Sequence, residues 1–306
     1  MSKVSRRNFS AICGVAAVTV PAFVTELLRA DPLGVPPGIQ LYTVAADLQK
    51  DVPGTLEALS KIGYKNVETA GFAGLTAKEF AKALSSAGLH CPSCHLRFST
   101  ADPSPLFDDA HSVGAQFVVS SILTAQPAGS PLTDFMKALS ALTLDDFKKT
   151  AELANQIGAK AKQAGLQYAY HNHNFEFKDQ GSGKIGYDVL LSETDPDLVK
   201  FEVDCGWMTV AGKNPVDYFK RYPNRFRMIH VKDFLPGPST TDLLGANRPT
   251  GTELGKGHID YRPIFAVARL AGIEYYFSEQ EPPIVGMTAL EAAKVNYEYM
   301  HAIKTA

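Results

Sequence analysis

Four short segments hold most of the residue types able to do chemistry. Tyr170-His-Asn-His-Asn-Phe-Glu176, Phe201-Glu-Val-Asp204, Ile229-His-Val-Lys232 and Ser278-Glu-Gln-Glu281 each place His, Asp, Glu or Lys at the C-terminal tip of an apolar run. Asp204, His230 and Glu279 occupy corresponding tips of three successive runs. A carboxylate, an imidazole and a second carboxylate form a mixed oxygen and nitrogen set suited to a divalent ion such as Mn²⁺, Mg²⁺, Co²⁺ or Zn²⁺. The preceding run must supply a fourth donor if the shell is to close. There His171 and His173 share one face by strand alternation, and Glu176 lies just beyond. The preferred assignment makes Glu176 the ligand, with His173 beside it as acid/base or substrate contact; a hydrogen-bonded polar rim is the plain alternative.

Other residues belong to the same geometry. Glu68 and His95 end the second and third runs and Gln40 lies on the first, while Lys232 shares the face of His230. Lys232 suits an anionic oxygen or an ordinary place beside the acidic cluster. Glu202 and Glu281 share faces with Asp204 and Glu279, where they could orient a ligand. Trp207, the only tryptophan, either offers an apolar face to a sugar ring or caps the core.

The elements that position these tips repeat one grammar. Strands are expected near 38–43, 65–70, 91–97, 117–122, 167–173, 199–205, 226–232 and 274–280. Helices are expected near 54–62, 76–87, 105–114, 144–164, 187–193, 215–221, 262–271 and 288–304. Gly63, Gly88, Gly114, Gly165 and Gly272 each stand where a helix ends and a strand begins, the place for a left-handed residue. Eight alternating pairs give a parallel sheet and are the number that closes a (β/α)8 TIM barrel, whose ligands bind at the C-terminal strand tips. An open doubly wound sheet is disfavoured, because no Gly-x-Gly-x-x-Gly turn comes after the first strand. Leu254-Gly-Lys-Gly-His-Ile-Asp260 reads as a loop leading into a helix. Residues 234–253, rich in Pro, Gly, Ser and Thr, form the longest irregular insertion and a candidate lid.

A chain of 306 residues, 45% hydrophobic and 20% charged, suffices for one such domain, expected over 36–304. Its formal charge of -2 leaves no basic stripe for a phosphate backbone, which argues against nucleic acid as a partner. Ser5-Arg-Arg-Asn-Phe9 ahead of the weakly apolar run 11–24 resembles a twin-arginine export signal over residues 1–30, with a periplasmic or otherwise exported protein as the expectation. That run falls short of the ~20 residues of a spanning helix, so no membrane association is expected beyond the signal. Of four cysteines, Cys13 lies in this segment, which leaves an odd number. Strict strand alternation puts Cys91 and Cys94 on opposite faces and makes a structural role the expectation.

At these residues the chain resembles the xylose-isomerase-like TIM-barrel superfamily of sugar isomerases and epimerases, in its exported branch. The likeness covers about 36–304 and is most specific at Tyr170 to Phe177, Phe201 to Trp207, His230-Val-Lys-Asp233 and Ser278-Glu-Gln280. It implies a divalent metal held by residues of strands 5 to 8, with Asp204, His230 and Glu279 matching the last three. The 26-residue separation of Asp204 from His230 is that of the ketose epimerase branch. Strand 5 departs from that pattern: the epimerases carry their first glutamate, ligand and base together, about where this chain has His171.

Three functions stand as expectations. The first is a metal-dependent isomerase or epimerase of a sugar or keto-sugar, working through an enediolate, with Glu279, Glu176 or His173 as base and Lys232 helping to carry negative charge. The second is a lyase or dehydratase of 3-keto-glycosides or inosose-like substrates, in which His173 or His171 protonates the departing oxygen. The third is a non-catalytic periplasmic sugar-binding protein. Glu68, His95, His171 and Trp207 are the expected substrate contacts. A small carbohydrate is the expected partner, and a homo-oligomer is left open.

Overall fold

The computed structural model describes residues 31–98, 102–123 and 131–303. The twin-arginine segment, 1–30, lies outside the described residues. Eight parallel strands close into a barrel: β1 Gly38–Gln40, β2 Asn66–Thr69, β3 His90–His95, β4 Phe117–Ser120, β5 Gln167–His171, β6 Val199–Asp204, β7 Phe226–Val231 and, after two short strands, β10 Tyr275–Ser278. Each pairs with its neighbour in the chain, and β10 returns to pair with β1. The short strands β8 Asp233–Phe234 and β9 Gly251–Thr252 pair antiparallel across the foot of the 234–253 insertion.

The helices arise from local signals. Thr76, Thr143 and Thr288 open theirs with reciprocal capping boxes. At the five helix-to-strand joints, Gly63, Gly88, Gly114, Gly165 and Gly272 have φ between 67° and 129°, a range that a Cβ resists. Three α-helices were not expected from the sequence, the first a single turn at Ala45–Leu48. Leu132–Ser140 lies in the long stretch between β4 and β5, with Phe135, Met136 and Leu139 at helical spacing. Cys205–Val210 begins at Asp204, whose carboxylate accepts from the Trp207 amide at 2.7 Å. Its start signal is an N-cap aspartate, a role that Asp204 fills in addition to its place among the candidate ligands. Among the described residues, no helix is long and apolar enough to cross a membrane.

Pairing is irregular in two places: between β6 and β7, where Phe201 pairs with Phe226 but Glu202 with Met228, and on β3. Asn66 pairs with His90 but Glu68 pairs with Ser93, so three residues of β3 advance against two of β2. The bulge sends Cys91 into the same helix-facing core that holds Cys94, which corrects the expectation that the two lie on opposite faces. Both thiols are free and buried.

Inside the barrel, alternation sorts residues into layers. Phe117, Val119, Ala169, Met228 and Phe277 form an apolar plug of their own, packed by Tyr275. Two residues further along the same faces come His171, His230 and Glu279. The plug is thus the floor on which the polar tips stand. Removing its fully buried Met228 leaves a cavity that rigid strands cannot fill, so Met228→Ala is expected to cost about 2–5 kcal/mol in urea unfolding. A loss below about 1 kcal/mol would mean that the floor is not tightly packed.

Candidate metal centre and active site

Strand register decides which polar residues meet. His171 lies opposite Glu202, Asp204 opposite His230, and Glu68 between Gln40 and Ser93. The deepest charged layer joins Glu68, His95, Glu202 and His230. The His230 Nε2 atom lies 2.6 Å from Glu68 Oε2 and 3.2 Å from Glu202 Oε2. His95 Nε2 lies 3.2 Å and 2.8 Å from the same two oxygens. His171 Nδ1 reaches Glu202 Oε2 at 3.0 Å. Gln40 Nε2 donates to Glu68 Oε2 at 2.7 Å and the Ser93 hydroxyl donates to Oε1, which fixes that carboxylate from both flanking strands.

One step nearer the mouth is a layer organised by Lys232. Its ammonium lies 3.2 Å from Asp204 Oδ2, 3.0 Å from Glu279 Oε2 and 2.8 Å from Glu281 Oε1. Arg248, from the insertion, meets the other Glu281 oxygen at 3.0 Å. The backbone of Lys232 is held by one hydroxyl: Tyr261 Oη accepts from its amide at 2.8 Å and donates to its carbonyl at 2.7 Å. Asp233 anchors the segments on either side of the insertion, its two oxygens accepting from the amides of Phe234, Gly255, Gly257 and Ile259. A Cβ on Gly257 would collide with the Asp233 carboxylate, which explains the Gly-x-Gly spacing at 255–257.

Donor atoms of His171, Asp204, His230 and Glu279 all lie within 4.8 Å of one another, two imidazoles and two carboxylates fit for a divalent ion. Three of these are the residues singled out on strands 6 to 8. The fourth place falls to His171, and Glu176 stands outside the group. Glu176 sits on a turn of 3₁₀ helix, Phe175–Phe177, fully buried, and accepts from the His173 amide at 2.9 Å and the Tyr170 hydroxyl at 3.1 Å. The 3₁₀ turn after β5 engages Glu176 in these two bonds instead of in the donor group. His173 packs near Trp207, ring centroids 6.0 Å apart, and its buried Nδ1 has no hydrogen-bond partner. Trp207 is buried against Phe234, with the Lys232 ammonium 5.1 Å from its ring. Sequence reasoning placed Glu68 and His95 as substrate contacts and Glu202 as a supporting residue; the fold gathers all three around His230, with Glu68 and Glu202 buried and His95 partly exposed.

A family model described as the xylose isomerase-like TIM barrel matches residues 56–285. The chain belongs to this family. An inosose dehydratase of Clostridium perfringens is 29% identical over 187 residues, 58% of this chain and 62% of the relative. One from Lacticaseibacillus casei is 27% identical over 188 residues, 57% and 61% of the two chains. The aligned part therefore spans less than two thirds of these relatives' own length. Among solved structures, a sugar phosphate isomerase/epimerase from Parabacteroides distasonis superposes with a TM-score of 0.68 at 26% identity, covering 96% of this chain and 98% of its own.

This xylose isomerase-like barrel concentrates charge against the cost of burial. Burial opposes ionisation of every group in the cluster. In the deep layer opposite charges outweigh it, holding Glu68 and Glu202 well below the carboxylate range and drawing His95 up to about 10 and His230 well above its usual value. Burial likewise works against the Lys232 ammonium, and Asp204, Glu279 and Glu281 more than restore it. Burial keeps His171 well below its usual value and His173 at about 4, so both are neutral near pH 7. Burial lifts Asp204 to about 6 against the pull of Lys232, and Glu176 to about 8 against the bonds it accepts.

Two measurements test these assignments. Asp204→Asn keeps an acceptor for the Trp207 amide but loses the charge, and is expected to weaken divalent-ion retention at least about tenfold in elemental analysis of dialysed protein. Unchanged retention would remove Asp204 from the site. Because Glu176 binds its proton more tightly folded than unfolded, its contribution to stability is complete below about pH 4.5 and is lost as pH rises to about 8. Relative to Glu176→Gln, the wild type should lose stability across that window by up to about 1.4 kcal/mol per pH unit in urea unfolding; parallel curves would mean an ordinary carboxylate.

Proposed function

We propose that this protein is a divalent-metal-dependent lyase that removes water or an alcohol from the β-position of a cyclic keto-polyol or keto-sugar. The observation that carries the reading is the neutral imidazole pair at the end of strand 5, His171 on its last residue and His173 just beyond. His171 stands in the ligand group where the ketose epimerase pattern has a glutamate that is also a base, and His173 keeps an unpartnered Nδ1 beside it. Inverting a carbon centre takes a base and a proton donor on opposite faces of the substrate. Elimination can proceed with one group that takes the α-proton and hands it to the leaving oxygen.

His171, Asp204, His230 and Glu279 would hold the ion, which when bound supplies Lewis acidity toward a substrate carbonyl. The neutral His173 takes the α-proton through Nδ1. As the C–H electrons form the new C=C bond, the β C–O bond breaks, and the His173 imidazolium protonates the departing oxygen. The products are an unsaturated ketone and water or an alcohol. The Lys232 ammonium stabilises negative charge developing on the carbonyl oxygen. Glu279, kept ionised by Lys232 and His230 against its burial, is a better ligand than base. The likeness to inosose dehydratases supports this chemistry. The likeness to the Parabacteroides isomerase/epimerase, over nearly the whole chain, favours the second reading, carbonyl migration or epimerisation with every C–O bond kept.

Incubation with an inosose and with a 3-keto-glucoside separates the two. The lyase is expected to yield a conjugated ketone seen in the ultraviolet, with release of the aglycone from the glucoside. An intact glycosidic bond together with deuterium incorporation from solvent would replace it by the isomerase. His173→Gln should lower kcat by about 10²–10⁴ with metal content unchanged; wild-type turnover in that variant would remove His173 from the chemistry.

A further inference from the structure

The deep layer is built like a cation shell beneath the group near the mouth; its His95, Glu202 and His230, together with His171, place donor atoms within 4.8 Å of one another. His95 Nε2, Glu68 Oε2, His230 Nε2 and Glu202 Oε2 form a closed ring of alternating nitrogen and oxygen atoms, with successive edges of 3.2, 2.6, 3.2 and 2.8 Å. A tetrahedral ion with bonds of about 2.0–2.1 Å spaces its donors roughly 3.3–3.4 Å apart, so a small expansion of the ring would admit one. Both carboxylates are fully buried. Among the described residues, neither is paired with a lysine or arginine; Lys232 is engaged by Asp204, Glu279 and Glu281 instead. Glu202 Oε1 is buried with no hydrogen-bond partner, an acceptor left over after the imidazole contacts are made. Glu68, in contrast, is oriented by Gln40 and Ser93, as a ligating carboxylate commonly is by its neighbours.

We propose that the barrel holds a second divalent cation in this ring, ligated by Glu68, His95 and Glu202 and sharing His230 with the group near the mouth. His230 can serve both as an imidazolate, its remaining N–H proton released to solvent as the second ion binds, because its two nitrogens face different layers: Nε2 meets the ring, while Nδ1 lies 2.8 Å from Glu279 Oε2. His171, whose Nδ1 already contacts Glu202, is a further donor on the same side. The inference does not rest on the lyase reading, since it concerns how many ions the chain holds and not what it does to a substrate.

The test is metal stoichiometry on the full chain, stripped with chelator and titrated with Co²⁺, read by elemental analysis after dialysis and by the visible absorption of the bound ion. Wild type is expected to bind two equivalents. His95→Gln and Glu68→Gln are each expected to bind one, and Asp204→Asn to keep the equivalent that those two lose. A single equivalent in wild type overturns the proposal, leaving the deep carboxylates balanced by protons on His95 and His230. So does an unchanged stoichiometry in both ring variants. Should one ring variant fail to fold by circular dichroism, the other, with the wild-type count, still decides.

Discussion

Charge burial is the constraint that the rest of this structure serves. Glu68, Glu202 and Asp204 are wholly inaccessible, Glu279 and Glu281 are partly covered, and burial disfavours the charge on each. The fold keeps them ionised by delivering positive or ionisable nitrogen to the same few ångströms: His95 and His230 below, Lys232 above. Register makes this delivery reliable, because adjacent parallel strands bring His171 against Glu202 and Asp204 against His230 without any flexible loop between them. The supporting bonds obey the same logic. Tyr261 locks the Lys232 backbone, Asp233 gathers four amides of nearby segments, and Gln40 and Ser93 grip Glu68.

Much of this was legible in the chain. The glycine at each helix-to-strand joint, the apolar runs and the polar residue at each tip sufficed for the eight-stranded barrel and for placing Asp204, His230 and Glu279 together, since those inferences need only a period of two and a period of 3.6. What escaped needed information beyond periodicity. Glu176 stands outside the donor group because the turn after His171 engages it with the Tyr170 hydroxyl and the His173 amide, and a 3₁₀ turn is invisible to strand counting. The β3 bulge at Pro92 broke the alternation on which the Cys91 and Cys94 expectation rested. The depth of Glu202 and Glu68 escaped for another reason: alternation says which face a residue takes but not how far down a closed barrel that face lies.

The insertion after β7 changes meaning in the same way. Its composition suggests an irregular lid, and its foot is the β8–β9 ladder, its middle is held where Asn174 donates to the Thr240 and Asp242 carbonyls, and Arg248 reaches Glu281. The arm is therefore wired into the same charge network that holds Lys232.

The apolar floor beneath the polar layers has a further meaning for traffic. With Phe117, Met228 and Phe277 stoppering one end, the barrel is a blind vessel rather than a conduit. Any small molecule that enters from the polar side must leave by the same doorway, so the chamber has to empty before the next guest can enter.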